Sequence, residues 1–236
     1  MNEKECTHQT KNQNVFGEMA RSIEEQSVIQ DQPSKKEQQD DLKERATKAV
    51  QNYNWQFEDD IDFDHDDRYS STKEMFQAIK QFVFKAALQT HESGLFSDKY
   101  SPHTLTILGP SDVGKSHLSR KAMAFLGAGK GKARFINIPK YYKIMTKGSW
   151  DLLDEEIKRY NIICIDDMKS IGEGQFLVNE MYGVTEYRRG RWTIFTSNHG
   201  HQEIEEIFGK QILTRLFRDG GKVIELDPMT PSYNMP

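Results

Sequence analysis

Leu105-Thr106-Ile107-Leu108-Gly109-Pro110-Ser111-Asp112-Val113-Gly114-Lys115-Ser116 joins a short apolar run to a glycine-framed loop ending in Lys-Ser. The loop fits the G-x-x-x-x-G-K-S/T pattern, directly follows a strand-like segment and opens the helix-like His117 to Leu126, the context that pattern requires. Its glycines let backbone N–H groups turn inward around β- and γ-phosphates, and the helix N-terminus adds the positive end of its dipole. Lys115 neutralises γ-phosphate charge and the Ser116 hydroxyl reaches Mg²⁺. Gly109, Pro110, Ser111, Asp112, Val113, Gly114, Lys115, Ser116 and His117 are therefore the expected nucleotide site, with ATP and Mg²⁺ as cofactors. Asp112 sets a carboxylate beside the phosphates, which weakens anion binding unless it points to solvent.

Outward from the loop, short apolar runs alternate with helical segments. The runs are Leu105 to Leu108, Ala133 to Ile138, Ile162 to Ile165, Thr193 to Thr196 and Val223 to Leu226. Strands separated by helices imply an α/β fold with a parallel sheet covered on both faces. About 50 residues after the loop, Ile162-Ile163-Cys164-Ile165-Asp166-Asp167 is an apolar strand ending in two carboxylates. In a parallel sheet that end lies beside the phosphate loop, so Asp166 is expected to hold Mg²⁺ through water and Asp167 to orient or deprotonate the attacking water. Thr193 to Thr196 runs into Ser197-Asn198, and Asn198 falls at the same edge, where it can sense γ-phosphate or position water. Gln211 to Arg218 is amphipathic and carries Arg215 and Arg218, either of which can reach a neighbouring subunit's phosphate. His199 and His201 have no partner at metal spacing and read as loop residues.

The rest of the chain bounds what surrounds this core. With 236 residues and 36% hydrophobic content there is enough for one packed domain, not for a core along the whole length. A net charge of −4 excludes a generally basic nucleic-acid binder and leaves only local basic patches. Cys6 and Cys164 are too few and too differently placed for a disulfide or zinc framework. No signal peptide or long apolar span is present, so a cytoplasmic protein without a membrane partner is expected. Residues 1–45 are polar and read as a disordered or partner-binding tail, with room for a short helix that orders on a partner. Residues 46–71 read as an acidic, aromatic linker whose Tyr53, Trp55 and Phe57 dock on the core. The acidic run from Asp59 to Asp67 fails the calcium-loop template, because a loop starting at Asp60 puts His65 where glycine belongs and Ser71 where the bidentate Glu belongs. Ser71 and Glu74 form a capping-box pattern, and Phe76, Ile79, Val83 and Ala87 follow at helical spacing, which predicts a helix from about Thr72 to Gln89. The folded domain is expected over 72–230, with 231–236 a short tail.

Four stretches together resemble AAA+ ATPases: Gly109 to Leu118, Ile163 to Asp167, Tyr187 to Asn198, and Phe208 to Leu216. The wording is nearest to DnaC-like helicase loaders and IstB-like transposition ATPases, over about residues 72–227. The resemblance implies that Asn198 is sensor 1 and that Arg215 is the arginine acting in trans, with Asp167 the third residue of the chemistry. Two departures bear on hydrolysis more than on binding: Asp-Asp replaces the loaders' usual Asp-Glu, and Asp112 stands where glycine is common. Only 21 residues follow Arg215, which implies the loader class without the C-terminal helical lid.

Lys130, Lys132 and Arg134, then Lys140, Tyr141, Tyr142, Lys143 and Lys147, combine positive charge with rings able to stack on single-stranded DNA. An ordinary solvated helix face with two packed tyrosines fits the same residues. The leading functional expectation is an ATP-dependent replication accessory that assembles with its own copies and contacts a replicative helicase and single- or double-stranded DNA. The alternatives are an IstB-like ATPase serving a transposase, a small-molecule P-loop kinase, and a nucleotide-binding module that does not hydrolyse.

Overall fold

A computed structural model of the chain describes residues 34–55, 70–92, 104–128, 133–145, 151–168, 175–217 and 221–232. They fall into two compact units, one ending at Arg45 and one starting at Ala46. The first described helix, α1 (Lys35–Asn52), carries residues of both and so runs through the point where the polar tail was expected to give way to a linker. Its start is a capping box in which Ser34 Oγ accepts from the Glu37 N–H at 3.2 Å and Glu37 Oε2 accepts from the Ser34 N–H at 2.7 Å.

In the second unit five strands, β1 (Thr104–Leu108), β2 (Ala133–Asn137), β3 (Ile162–Asp166), β4 (Thr193–Ser197) and β5 (Lys222–Glu225), form one sheet. The order is β2-β3-β4-β1-β5 with every pair parallel. The intervening helices are α2 (Ser70–Glu92), α3 (Lys115–Ala128), α4 (Ile138–Met145), α5 (Asp151–Arg159), α6 (Gln175–Tyr187), α7 (His201–Phe208) and α8 (Lys210–Phe217).

Alternation along the strands sends neighbouring side chains to opposite faces. Ile162 and Cys164 of β3 join one core with Ile79 and Val83 of α2 and Leu118 and Leu126 of α3. Ile163 and Ile165 join the other with Met181, Ile212 and Leu216 from α6 and α8. Both faces being covered is why β3 reads as an unbroken apolar run. Val50 and Trp55 lie in the first core and partly buried Tyr53 packs against it, with the Tyr53 and Trp55 rings edge-on at 5.0 Å and Trp55 5.8 Å from Phe76. Phe57 and the acidic run from Asp59 to Asp67 lie outside the described residues.

Several boundaries differ from expectation. Ile138 begins α4 instead of ending β2, because Pro139 lacks an N–H and has a fixed φ that suits a helix's first turn. Leu226 lies beyond β5. The helix expected from Thr72 to Gln89 spans Ser70–Glu92.

Arg188 is a fully buried cation at the turn into β4, 1% exposed. Nε donates to Thr193 Oγ1 at 3.0 Å, one terminal nitrogen to the Ile157 and Tyr160 carbonyls at 3.4 and 2.8 Å, and the other to the Asn161 and Trp192 carbonyls at 2.7 and 2.8 Å. Four carbonyls and the Thr193 hydroxyl thus take all five N–H donors. Burial pushes its pKa down to about 9, which leaves it charged at neutral pH. Among the described residues no helix is long and apolar enough to cross a membrane.

Candidate nucleotide site

The site sits where three neighbouring parallel strands end. The loop 109–114 leaves β1, and α3 starts at Lys115, with the Leu118 N–H donating to the Gly114 carbonyl at 3.0 Å. Gly109 and Gly114 have φ of +132° and +90°, a region glycine enters without strain. Gly109 is also pressed against the chain leaving β5, where an added Cβ would lie 2.6 Å from Leu226 Cβ. Asp112, at φ +60°, takes the left-handed conformation that Asp tolerates better than most residues. Its side chain is exposed, as is that of Ser111, whereas Val113 is buried.

Lys115 is folded back over the loop. Its ammonium donates to the Gly109 carbonyl at 2.9 Å, to the Pro110 carbonyl, and to Asn198 Oδ1 at 2.9 Å. Burial lowers its pKa to about 8, against the opposing pull of Asp166, Asp167 and Asp112. Asn198 Nδ2 in turn donates to Asp167 Oδ1 at 2.9 Å. Because β4 lies between β1 and β3, the residue at its end spans the phosphate-loop lysine and the acidic pair.

Asp166 is 1% exposed. One oxygen accepts from Thr196 Oγ1 at 2.8 Å and the other from Asn137 Nδ2 at 3.0 Å. The same Thr196 hydroxyl accepts the Asp167 N–H at 3.0 Å, pinning a residue whose φ is +59°. Asn137 Oδ1 accepts the Lys140 N–H at 3.2 Å. One polar network therefore joins the ends of β1, β4, β3 and β2. Sequence reading missed Asn137 and Thr196, although each is a polar residue near the end of a strand-like run, the same signal that marked Asn198.

The other expected residues lie elsewhere or serve other contacts. His117 turns its ring to the Trp55 backbone, with which it is hydrogen-bonded, and burial pushes its pKa down to about 4. Arg215 lies on α8, ion-paired with Glu186 at 2.8 Å and stacked over Tyr182. Arg218 lies outside the described residues. Of the basic and aromatic group, Arg134 pairs with Glu156 at 2.7 Å and donates to Tyr141 Oη at 3.4 Å, Tyr141 packs against the second core, and Lys140 is exposed. Tyr142 and Lys143 are in α4 with side chains outside the described part, and Lys130, Lys132 and Lys147 lie outside it altogether.

A phosphate loop after β1, an acidic pair after β3 and an amide at the end of the strand between them define a P-loop nucleotide fold of the AAA+ type. No family model matches the chain, and no curated protein is similar to it at a significant level. Among solved structures it is similar to the DnaC helicase loader, with a TM-score of 0.51 and 18% identity, covering 68% of this chain and 95% of that one. DnaI gives a TM-score of 0.53 at 19% identity, covering 71% and 86%. The replication initiator DnaA bound to AMPPCP and single-stranded DNA gives 0.50 at 13% identity, covering 69% of this chain and 50% of DnaA, so the match spans half of that protein. At these identities the likeness is one of fold: the chain has the AAA+ fold of DnaC-like helicase loaders.

Proposed function

We propose that this chain binds ATP with Mg²⁺ and hydrolyses it as a DNA-replication accessory of the helicase-loader type, in the cytoplasm and as an assembly of its own copies. The observation that carries the reading is the Asn198 amide, hydrogen-bonded to Lys115 and Asp167 together. A group that touches both the cation meant for γ-phosphate and the carboxylate meant for water registers the phosphate's presence, which a switch needs and a small-molecule kinase does not.

The residues fit the cofactors. Gly109 and Gly114 hold backbone conformations that open the loop to phosphate, and each Asp166 oxygen accepts one side-chain hydrogen bond and keeps a lone pair for metal-bound water. Ser116 and Asp166 would hold Mg²⁺, which when bound neutralises charge on the phosphate oxygens. In this reading Asp167 orients or deprotonates the attacking water and Arg215 serves a neighbouring copy. Exposed Lys140 and its basic neighbours contact DNA, a reading supported by the single-stranded DNA in the similar DnaA structure.

The test is ATP turnover by the full chain with and without single-stranded DNA, beside Lys115→Ala. Turnover in the parent with nucleotide binding lost in Lys115→Ala is expected. Binding without turnover at any protein concentration would instead mark a non-hydrolysing module. Affinity capture with and without residues 1–45 then identifies the partner: a replicative helicase is expected, and capture of a transposase would move the chain to the IstB-like reading.

A further inference from the structure

We infer that Glu186 and Tyr182 form a latch that holds Arg215 against its own chain, and that the latch opens when Arg215 engages the nucleotide of a second copy. The inference rests on the reading of Arg215 as the arginine acting in trans. Tyr182 and Glu186 are four residues apart on α6, so ring and carboxylate share one helix face. Arg215 of α8 fills the space between them. Its Nε lies 2.8 Å from Glu186 Oε2, its guanidinium carbon is 3.8 Å from the centre of the Tyr182 ring, and a terminal nitrogen donates to the Gln211 carbonyl at 3.1 Å.

Each contact occupies a part of the guanidinium that phosphate needs. The planar fork recognises an oxyanion through adjacent N–H groups in its own plane. Glu186 presents the same chemistry as a phosphate oxygen at the Nε edge, so carboxylate and γ-phosphate compete for one surface. The latch is also built to yield. The Arg215 side chain is 14% exposed, but the partners that cover it reach solvent, Glu186 at 46% and Tyr182 at 41% exposure, where ion pairs and cation–π contacts are weak. A triphosphate carries more charge than one carboxylate and outcompetes it once a second copy brings the phosphate within reach. Buried Ile212, Leu213 and Leu216 anchor α8 meanwhile, so a change of side-chain rotamer suffices to free Arg215. Hydrolysis is thereby tied to assembly twice, by the distance to the second copy and by the cis contact that must be exchanged.

The test measures ATP turnover against total protein concentration for the full chain, Glu186→Gln, Tyr182→Ala, Glu186→Asp, Arg215→Ala and Glu186→Gln combined with Arg215→Ala. Glu186→Gln and Tyr182→Ala should each reach half-maximal turnover at about fivefold lower protein concentration, the weight of one exposed contact, with nucleotide affinity of the isolated chain unchanged. Glu186→Asp, which keeps the charge, should return toward the parent. The combined variant should be as inactive as Arg215→Ala. A Glu186→Gln midpoint equal to or above the parent's overturns the latch. Arg215→Ala with parental turnover overturns the trans reading beneath it. The rate at which phenylglyoxal modifies Arg215, read by mass spectrometry, makes the comparison without turnover: it should rise about fivefold in Glu186→Gln, and an unchanged rate counts against the latch.

Discussion

The ammonium of Lys115 donates to Asn198 Oδ1 at 2.9 Å, and the other end of the same amide donates to Asp167. An amide can serve a cation and an anion at once because its oxygen only accepts and its nitrogen only donates. Asn198→Ala removes both contacts and leaves the loop glycines and Lys115 in place. Nucleotide affinity should therefore change little, while turnover falls about a hundredfold, the size of losing one preorganised polar group at a reacting phosphate. Equilibrium binding and single-turnover hydrolysis measured side by side check this. Equal losses in both would make Asn198 a structural residue.

Asp112 combines a left-handed backbone with a carboxylate that acts on Lys115. Asp112→Gly removes the charge and the conformational cost, which for a residue with a side chain is about 1 kcal/mol. Affinity for ATP should rise about fivefold, since an opposing charge is withdrawn from beside the phosphates, and unfolding stability should not fall. Asp112→Ala separates the two effects, because it loses the charge and keeps the Cβ. Should neither variant bind ATP more tightly, the carboxylate points away from the phosphates.

The loop, the strand before it and the acidic strand were legible because each is a local pattern: two glycines and Lys-Ser at fixed spacing, then an apolar run closed by two carboxylates. Ile138 was misread because its own apolar character outweighed the proline after it. Helix α1 was foreseen only as a short helix that a partner would order, because of a different limit. Composition reports how little a segment can bury, but Lys35–Asn52 is rich in helix-forming residues, capped by Ser34 and Glu37 and braced by Arg45 on Asp41 at 2.9 Å, none of which needs a core. What stayed invisible depends on topology. Asn137 meets Asp166 across 29 positions and Arg215 meets Glu186 across the same number, and only the pairing of β2 with β3 and the packing of α6 on α8 bring them together.

Arg188 is the clearest case of a residue whose role needs the fold to be seen. Its five donors tie the segment before β3 to the start of β4. Arg188→Ala leaves buried carbonyls and the Thr193 hydroxyl without that donor and opens a cavity. It should cost about 1–3 kcal/mol, the range for a buried polar group left without its partner. Arg188→Lys should recover only part of this, because an ammonium offers three donors from a single point. Denaturant unfolding of the two variants tests the order. A loss below about 1 kcal/mol in Arg188→Ala, no more than a typical single mutation, would mean the carbonyls find water instead.

Thr196 accepts the Asp167 N–H and donates to Asp166 Oδ1, so a single hydroxyl helps place both acidic residues, one by its backbone and the other by its carboxylate. Thr196→Val keeps the shape and removes the hydroxyl, which takes away the acceptor that pins the Asp167 N–H and one of the two side-chain donors to Asp166. Groups that orient a metal-holding carboxylate typically weigh 10- to 100-fold in metal affinity. The Mg²⁺ concentration for half-maximal turnover should accordingly rise about tenfold in Thr196→Val, while nucleotide binding measured without Mg²⁺ stays at the parent value because Lys115 and the loop are untouched. Thr196→Ser restores the hydroxyl and should bring the Mg²⁺ requirement back. General destabilisation predicts something else: binding with and without Mg²⁺ would fall together, and Thr196→Ser, which still lacks the buried methyl group, would not restore it. The Mg²⁺ titration of the two variants therefore separates a hydroxyl that places the acidic residues from one that merely fills space.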